Sequence, residues 1–364
     1  MKKHFDIILM VDALFLSALG VVMVYAASAY MAMDRYQDPV FFLKRQITYF
    51  VVGVLAMLAM ANFNYAHLRW AVFPLLFASL VLMVLVLVPG IGVKVGGAQR
   101  WIQLGGVTFQ PAEVTKIGLI LYIAHSLKKK QEKMKDFVYG FTPYVVILGV
   151  FFILLILQPD LGTAVSLSAV VLSMLFMAGA RLRYLLSLAL VSIPVMYILI
   201  MGEGYRRRRF FAFLDPWKDA SDSGFQIIQS FLAIGSGGLT GMGLGEGKQE
   251  FLFLPAPHTD FIFAIIGEQL GFVGAVTVVL AFALFLYRGL LISVRSVDPF
   301  GRYVALGLTL MISLQALINL AVVVGLLPTK GITLPMVSYG GSSLLMTFIG
   351  VGILLNVSKW TRVS

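Results

Sequence analysis

The chain has 364 residues, of which 60% are hydrophobic and only 12% are charged. A soluble domain is nearer half apolar and a quarter charged, so this composition excludes an ordinary soluble protein and indicates a polytopic helical membrane protein. The lack of cysteine excludes disulfides and thiolate metal sites, and the formal net charge of +11 fits basic cytoplasmic loops better than nucleic-acid binding.

Long apolar segments recur along the whole chain and predict an all-α fold. We expect a single membrane domain over residues 1–364, with ten transmembrane helices and a long loop at about 202–260. The predicted helices lie near 12–30, 47–62, 70–88, 112–127, 141–158, 162–180, 184–201, 261–287, 303–326 and 342–357. The apolar run of the first segment is long, which favours an uncleaved span over a cleaved signal peptide.

The distribution of basic residues predicts the orientation of the chain in the membrane. An even number of spans places both termini on one side, and Lys and Arg are concentrated in the short loops on that side. Because cytoplasmic loops carry the excess of basic residues, we predict cytoplasmic termini and an extracytoplasmic loop between the seventh and eighth helices.

The 202–260 loop combines basic, apolar and glycine-rich stretches. Arginine suits bidentate contacts to phosphate oxygens, so Arg206 and Arg209 are candidate phosphate-binding residues; the alternative is a solvated or headgroup-binding stretch. The apolar residues at 227–234 suggest that the loop partly re-enters the protein or lies on the membrane surface. The glycine run at 235–247 follows no strand and is better explained by tight turns and close backbone approach than by dinucleotide binding.

Several charged residues occur at the predicted outer ends of other spans. Glu113 and Lys116 are three residues apart and share a face of the fourth helix. They form either a substrate-facing pair or a salt bridge that only holds the helices together. Asp160 precedes the sixth helix and either caps it or has a functional role. The last outer loop, 328–343, contains Lys330 and Ser338 and has the prolines and glycines of an ordered turn.

Asp260 stands directly before the apolar eighth segment and has two interpretations. The first is an N-cap for that helix, since Asp is a favoured capping residue. The second is a general base at the membrane boundary, where partial desolvation would raise its proton affinity. Glu268, two helical turns further on, is better explained as an interhelical hydrogen-bond partner, and His258 as a packed flank.

Five segments of the chain together carry a family pattern: GAQRWIQLGGVTFQPAEVTK (97–116), QPDLGTA (158–164), YRRRRFFAFLDPWKD (205–219), GFQIIQSFLAIGSGGLTGMGLGEGKQEFLFLPAPHTDFIFAIIGEQLGFVG (224–274) and PTKGITLPMVSYGGSS (328–343). These segments resemble the SEDS family (shape, elongation, division and sporulation). Within them, Phe213 to Trp217 and Pro328 to Gly331 resemble its division branch more than its elongation branch.

This resemblance implies a ten-helix peptidoglycan glycosyltransferase in the bacterial cytoplasmic (inner) membrane, which polymerises lipid II on the outer face. It also implies a class B penicillin-binding protein, a transpeptidase, as partner, together with other division proteins. The family's essential acid in HTDFIF corresponds to Asp260, and its QPxExxK acid and lysine correspond to Glu113 and Lys116.

The mechanism that we expect is a single displacement with inversion, in which Asp260 is the base on the acceptor hydroxyl. Positive side chains would bind the substrate and stabilise its leaving pyrophosphate. We assign no cofactor from the sequence. A divalent cation (Mg²⁺ or Mn²⁺) would also suit the chemistry, and Asp160 or Glu113 could hold it. The alternatives are a lipid II flippase, an elongation-type polymerase and a non-catalytic scaffold. The candidate binding residues are Glu113, Lys116, Asp160, Arg206, Arg209, Lys330 and Ser338.

Overall fold

The computed structural model describes residues 5–63, 65–95, 97–104, 107–220, 224–247, 258–329 and 331–361. Within these residues the chain forms twelve α-helices and a small antiparallel sheet. The helices are α1 (Ile7–Tyr36), α2 (Phe41–Asn62), α3 (Leu68–Leu85), α4 (Pro111–Lys130), α5 (Thr142–Leu157), α6 (Leu161–Met177), α7 (Leu182–Met201), α8 (Gly204–Leu214), α9 (Phe225–Ser236), α10 (Ile262–Arg295), α11 (Pro299–Val323) and α12 (Gly341–Ser358).

All ten predicted transmembrane segments coincide with helices of the structure. In the described part of the chain, eight helices are long and apolar enough to cross a membrane, and α4 and α6 account for the other two predicted spans. α6 has only 17 residues, and α4 carries Glu113, Lys116 and three lysines in its last turn. Most of α4 is nevertheless buried, because it packs between α3 and α11 in the middle of the bundle. The protein is therefore a multi-pass helical membrane protein.

A charge cluster around Asp298 ties three helices together at one end of the bundle. The Asp298 carboxylate, which caps α11, accepts a hydrogen bond from Lys128 Nζ at 3.1 Å and another from Arg69 Nη2. Lys128 lies at the end of α4 and Arg69 at the start of α3. Glu113, at the other end of α4, is therefore roughly 22 Å away along the helix.

The glycine run of the 202–260 loop packs its backbone directly against a break in α10. Met242 N donates to Glu268 O at 3.0 Å, and Phe272 N donates to Gly238 O at 2.9 Å. Gly271 has φ 65°, which interrupts the helical geometry of α10 at this point. A Cβ atom on Gly241 would lie 2.1 Å from Gln269 O, so no side chain fits there. The prediction of close backbone approach is confirmed.

Before the glycine run, the described part of this loop is mostly helical and contains α8 and α9. α9 packs against α10 and α11, and Ser230 Oγ donates to Val323 O at 2.7 Å. Ile227 and Ile228 are buried. The apolar stretch thus returns into the protein, which confirms one of the two predicted placements.

A three-stranded antiparallel sheet between α3 and α4 is the main element that the sequence did not predict. It consists of β1 (Gly92–Val95), β2 (Ala98–Leu104) and β3 (Val107–Phe109), in the order β1-β2-β3. The strands are short, and glycines surround them, so their alternation of polar and apolar residues is too brief to detect. The sheet carries Arg100, Trp101 and Thr108 to the cavity described below.

Candidate active site

A cavity of about 660 Å³ opens at the end of the bundle opposite the Asp298 cluster. We call it the main cavity. Its lining comes from α1, α2, the small sheet, α4, α6, α11, the start of α12, the turn before α10 and the loop between α11 and α12. Asp260 lines it together with Glu113 and Lys116, both of which are far from Asp260 in the sequence.

Asp260 is held in a turn whose backbone accepts hydrogen bonds from side chains of α11 and of the loop before α12. Asn319 Nδ2 donates to Asp260 O at 2.8 Å and to Ile332 O at 2.7 Å. Ser338 Oγ donates to Thr259 O at 2.6 Å and accepts from Leu334 N at 2.8 Å. These bonds use the backbone of the turn and leave the Asp260 carboxylate to face the main cavity.

The interpretation of Asp260 as the N-cap of the following helix is wrong. The N-cap residue of α10 is Phe261, and no side chain donates or accepts a capping bond there. The helix begins one residue later than an aspartate cap requires, so the carboxylate does not lie over the first free N–H groups.

The environment of Asp260 favours its protonated form. Burial raises the pKa of its carboxyl to about 6. The positive charges of Arg209 and Arg100 lower this pKa, and the negative charge of Asp160 raises it by a smaller amount. A carboxylate with this pKa is deprotonated at neutral pH and still has substantial proton affinity, which suits a general base.

Glu113 and Lys116 form a buried ion pair within the cavity wall. Lys116 Nζ lies 2.9 Å from Glu113 Oε1 and donates to Gln315 Oε1, also at 2.9 Å. Gln315 in turn donates through Nε2 to Thr333 O at 3.1 Å. The pair therefore has the predicted salt bridge and also faces the main cavity, so it has the geometry of both interpretations.

A second, smaller cavity of about 260 Å³ adjoins the main one. We call it the arginine cavity, because Arg206, Arg209 and Arg100 line it together with Asp160. Arg100 and Gly331 line both cavities and therefore lie at the boundary between them.

Arg206 and Arg209 project from α8 towards the arginine cavity. Both guanidinium groups lie near the Tyr205 ring, at 5.5 Å and 5.9 Å from its centre. Arg206 Nη1 also donates to Leu199 O at 3.1 Å. Arg207 and Arg208 line a different surface pocket, so the helical turn separates the four arginines into two pairs.

Asp160 acts as a helix cap and also faces the arginine cavity. Its Oδ1 accepts from Thr163 N at 3.3 Å, at the start of α6, and lies 3.9 Å from Arg100 Nη1. Arg100 Nε also donates to Gln158 O at 3.1 Å. Asp160 and Glu113 line different cavities, and the described residues hold no group of three or more His, Asp or Glu side chains arranged for a metal ion.

Two candidate residues remain, and three important ones were missed. Ser338 is buried behind the wall, where it supports the turn before Asp260, and Lys330 falls outside the described residues. Arg100, Gln315 and Asn319 were not singled out from the sequence. A signal existed for the last two, because a polar residue within an apolar span is costly and usually has a purpose.

Comparison with known proteins identifies the family. A sequence model of the FtsW, RodA and SpoVE family, described as cell cycle protein, matches residues 6–363. The chain belongs to this family. A relative from Geobacter sp. (strain M18), named probable peptidoglycan glycosyltransferase FtsW, is 49% identical over 362 residues, covering 99% of this chain and 98% of the relative.

Solved structures of the FtsW, RodA and SpoVE family share the fold. A chain of a peptidoglycan synthase complex aligns with a TM-score of 0.80 and 32% identity, covering 97% of each chain. The Rod shape determining protein RodA of Thermus thermophilus aligns with a TM-score of 0.74 and 29% identity, covering 99% of this chain and 98% of RodA. The higher identity to the FtsW relative agrees with the predicted likeness to the division branch.

Proposed function

We propose that this protein is a peptidoglycan glycosyltransferase that polymerises lipid II on the outer face of the bacterial cytoplasmic membrane during septal wall synthesis. The observation that carries the proposal is the main cavity, which is lined by a carboxylate of raised proton affinity and by a buried acid–lysine pair. This cavity adjoins a second one that is rich in arginine. The name of the FtsW relative supports the same activity.

The proposed chemical step is one displacement at an anomeric carbon. The 4-hydroxyl oxygen of the acceptor saccharide forms the new bond to that carbon as the bond to the lipid pyrophosphate breaks. The hydroxyl proton passes to the Asp260 carboxylate, and the electron pair of the broken bond leaves with the pyrophosphate. Attack from the opposite side inverts an α-linkage to a β-1,4 bond and needs no covalent enzyme intermediate.

The leaving pyrophosphate gains negative charge in this step, which positive side chains in a partly desolvated site stabilise. Arg206 and Arg209 in the arginine cavity are suited to this role, because guanidinium groups bind phosphate oxygens in a bidentate manner. Arg100 stands at the boundary through which a substrate would reach both cavities. Lys116 and Lys330 complete the proposed binding set.

The orientation and the partner are part of the same proposal. We place the termini in the cytoplasm and the main cavity outside, because basic residues concentrate in the loops on the side of the termini. A class B penicillin-binding protein is the proposed partner. The structural likeness to a chain of a peptidoglycan synthase complex, in which polymerization and crosslinking are coordinated, supports a joint complex.

The test is polymerisation of purified lipid II by the protein together with its transpeptidase partner. Asp260→Asn keeps the shape of the side chain and removes the base, so we expect loss of polymer while expression and partner binding persist. Asp38→Asn is the matched control, because Asp38 is an acid paired with Lys44 at 2.9 Å in the loop between α1 and α2, outside both cavities.

Two results would contradict the proposal. Normal polymerisation by Asp260→Asn would remove that residue from the role of base. Translocation of the lipid II headgroup across the same proteoliposomes, without polymer, would instead support the flippase.

A further inference from the structure

The lining of the main cavity includes an aromatic region that the proposed reaction has not used. It consists of Tyr36, at the end of α1; Phe41, Phe42, Arg45 and Tyr49, in α2; and Tyr339, before α12. We call these six residues the aromatic wall. The sequence gives no hint of the wall, because its members come from three separate segments.

The rings of the aromatic wall are packed into a rigid cluster. Tyr36 and Phe41 are stacked, with ring centres 3.9 Å apart and planes at 7°. Phe42 meets the Phe41 ring edge-on at 5.2 Å, and the Arg45 guanidinium covers Phe41 at 4.3 Å from its centre. Such mutual packing fixes the rings before any ligand arrives, which lowers the entropic cost of binding.

The wall reaches the turn that carries the proposed base. Phe42 contacts the ring of His258 at 4.5 Å, and Tyr339 contacts it at 5.5 Å. Tyr339 N also donates to His258 O at 2.9 Å. His258 lies two residues before Asp260, and the wall and Asp260 line the same cavity.

The chemistry of the wall matches a saccharide better than a lipid tail. A sugar ring has an apolar C–H face that packs on an aromatic ring, and hydroxyl groups at its edge that need hydrogen-bond partners. Tyr36 is 49% exposed, and Arg45 is exposed and forms no ion pair with a carboxylate in the described part of the chain. An isoprenoid chain would remove the exposed Arg45 charge from water, which is costly.

The position of the wall relative to the arginine cavity decides which saccharide it holds. A Cβ atom on Gly331 would lie 3.5 Å from Asp260 Oδ2 and 3.9 Å from Arg100 Nη1, so this boundary lies beside the base. Arg206 and Arg209 line the cavity beyond the boundary, and the aromatic wall lines the main cavity on the Asp260 side. The pyrophosphate of the donor suits the arginines, which leaves the wall for the other sugar.

We propose that the aromatic wall is the binding subsite for the acceptor saccharide, the sugar that presents its 4-hydroxyl to Asp260. This inference rests on the proposed function and adds the placement of the two substrates. Tyr36 supplies the accessible ring, and Arg45 supplies hydrogen-bond donors at its edge.

The test separates the two substrates in a single condensation by the full-length protein with its partner. The donor is a lipid-linked disaccharide pyrophosphate that lacks its own 4-hydroxyl and so cannot accept. The acceptor carries a non-leaving phosphonate in place of the pyrophosphate and so cannot donate. We expect Tyr36→Ala to raise the KM for the acceptor by roughly two- to tenfold and to leave the KM for the donor unchanged. Tyr36→Phe should behave like wild type, because it keeps the ring.

The opposite pattern is expected on the other side of the boundary, where Arg206→Gln should raise the KM for the donor. An unchanged acceptor KM in Tyr36→Ala, or a raised donor KM in that variant, would overturn the subsite while the proposed function stands. Failure of the wild-type protein to condense the two analogues, together with failure to polymerise lipid II, would overturn both.

Discussion

The proposed base makes a specific prediction about pH. Asp260 must be deprotonated to accept a proton, and burial raises its pKa to about 6 in spite of the nearby Arg209 and Arg100. We therefore expect kcat/KM for lipid II polymerisation to rise with pH through about 6 and to level off above it, since this parameter reports ionisation in the free enzyme.

The expected size of the change follows from this pKa. At pH 5 about one tenth of a group with a pKa near 6 is deprotonated, and at pH 7 about nine tenths is, so the rate should rise roughly tenfold between them. A carboxyl with an ordinary aspartate pKa would already be almost fully ionised at pH 5. A flat profile from pH 5 to pH 7 would therefore refute the assignment of Asp260 as a base with a raised pKa.

Two variants that each remove one charge near Asp260 should shift its pKa in opposite directions. Arg209→Gln removes a cation that lowers the pKa of Asp260, so the profile should move to higher pH. Asp160→Asn removes an anion that raises it, so the profile should move to lower pH. The measurement is kcat/KM at a series of pH values with the same partner and lipid. Shifts in the same direction for both variants would show that charge near Asp260 does not set the profile.

Two further predictions concern the cavity walls. Gly331→Leu should block the boundary between the two cavities and abolish polymerisation. Gly331→Ala should remain active, because its Cβ would only touch Asp260 Oδ2 at 3.5 Å. Equal polymerisation by the two variants would contradict the placement of this boundary in the path of the substrate. Lys116→Met leaves Glu113 buried without its cation and should destabilise the protein by about 3 to 5 kcal/mol. Adding Glu113→Gln should restore thermal stability but not polymerisation, and recovery of both would favour a purely structural pair.

The positions of the helices were largely predictable from the sequence because their cause is local. A run of about twenty apolar residues can satisfy its backbone in a membrane only as a helix or in a closed barrel. The ends were less predictable, as α1 and α10 show. α1 begins at Ile7 because the Asp6 carboxylate accepts from Leu9 N at 3.0 Å, and α10 extends to Arg295. Capping and contacts beyond the hydrocarbon set these ends, and hydropathy does not measure either.

Site residues that lie next to the end of a predicted helix were found from the sequence. Those that reach the site through contacts between segments far apart in the sequence were missed. Asp260 and Lys116 stand at the outer ends of predicted spans, so topology alone brings them to one side of the bundle. Arg100 contacts Gln158, which is 58 residues away, through a small sheet that the sequence did not predict. The position of Arg100 in the lining of both cavities was therefore not foreseeable.

Polar residues near a membrane boundary can support the backbone of a loop or take part in the chemistry of a site. Asn319 and Ser338 belong to the first group. Turns that dip into the bundle leave backbone N–H and C=O groups without helical partners, and each such group is costly when buried. Asn319 and Ser338 bond to the backbone around Asp260 and Leu334, so they remove that cost and fix the loop. A polar side chain is available for a site when other residues already form the hydrogen bonds that the loop backbone needs. Asp260 meets this condition because its neighbours bond to its backbone and its carboxylate faces the cavity.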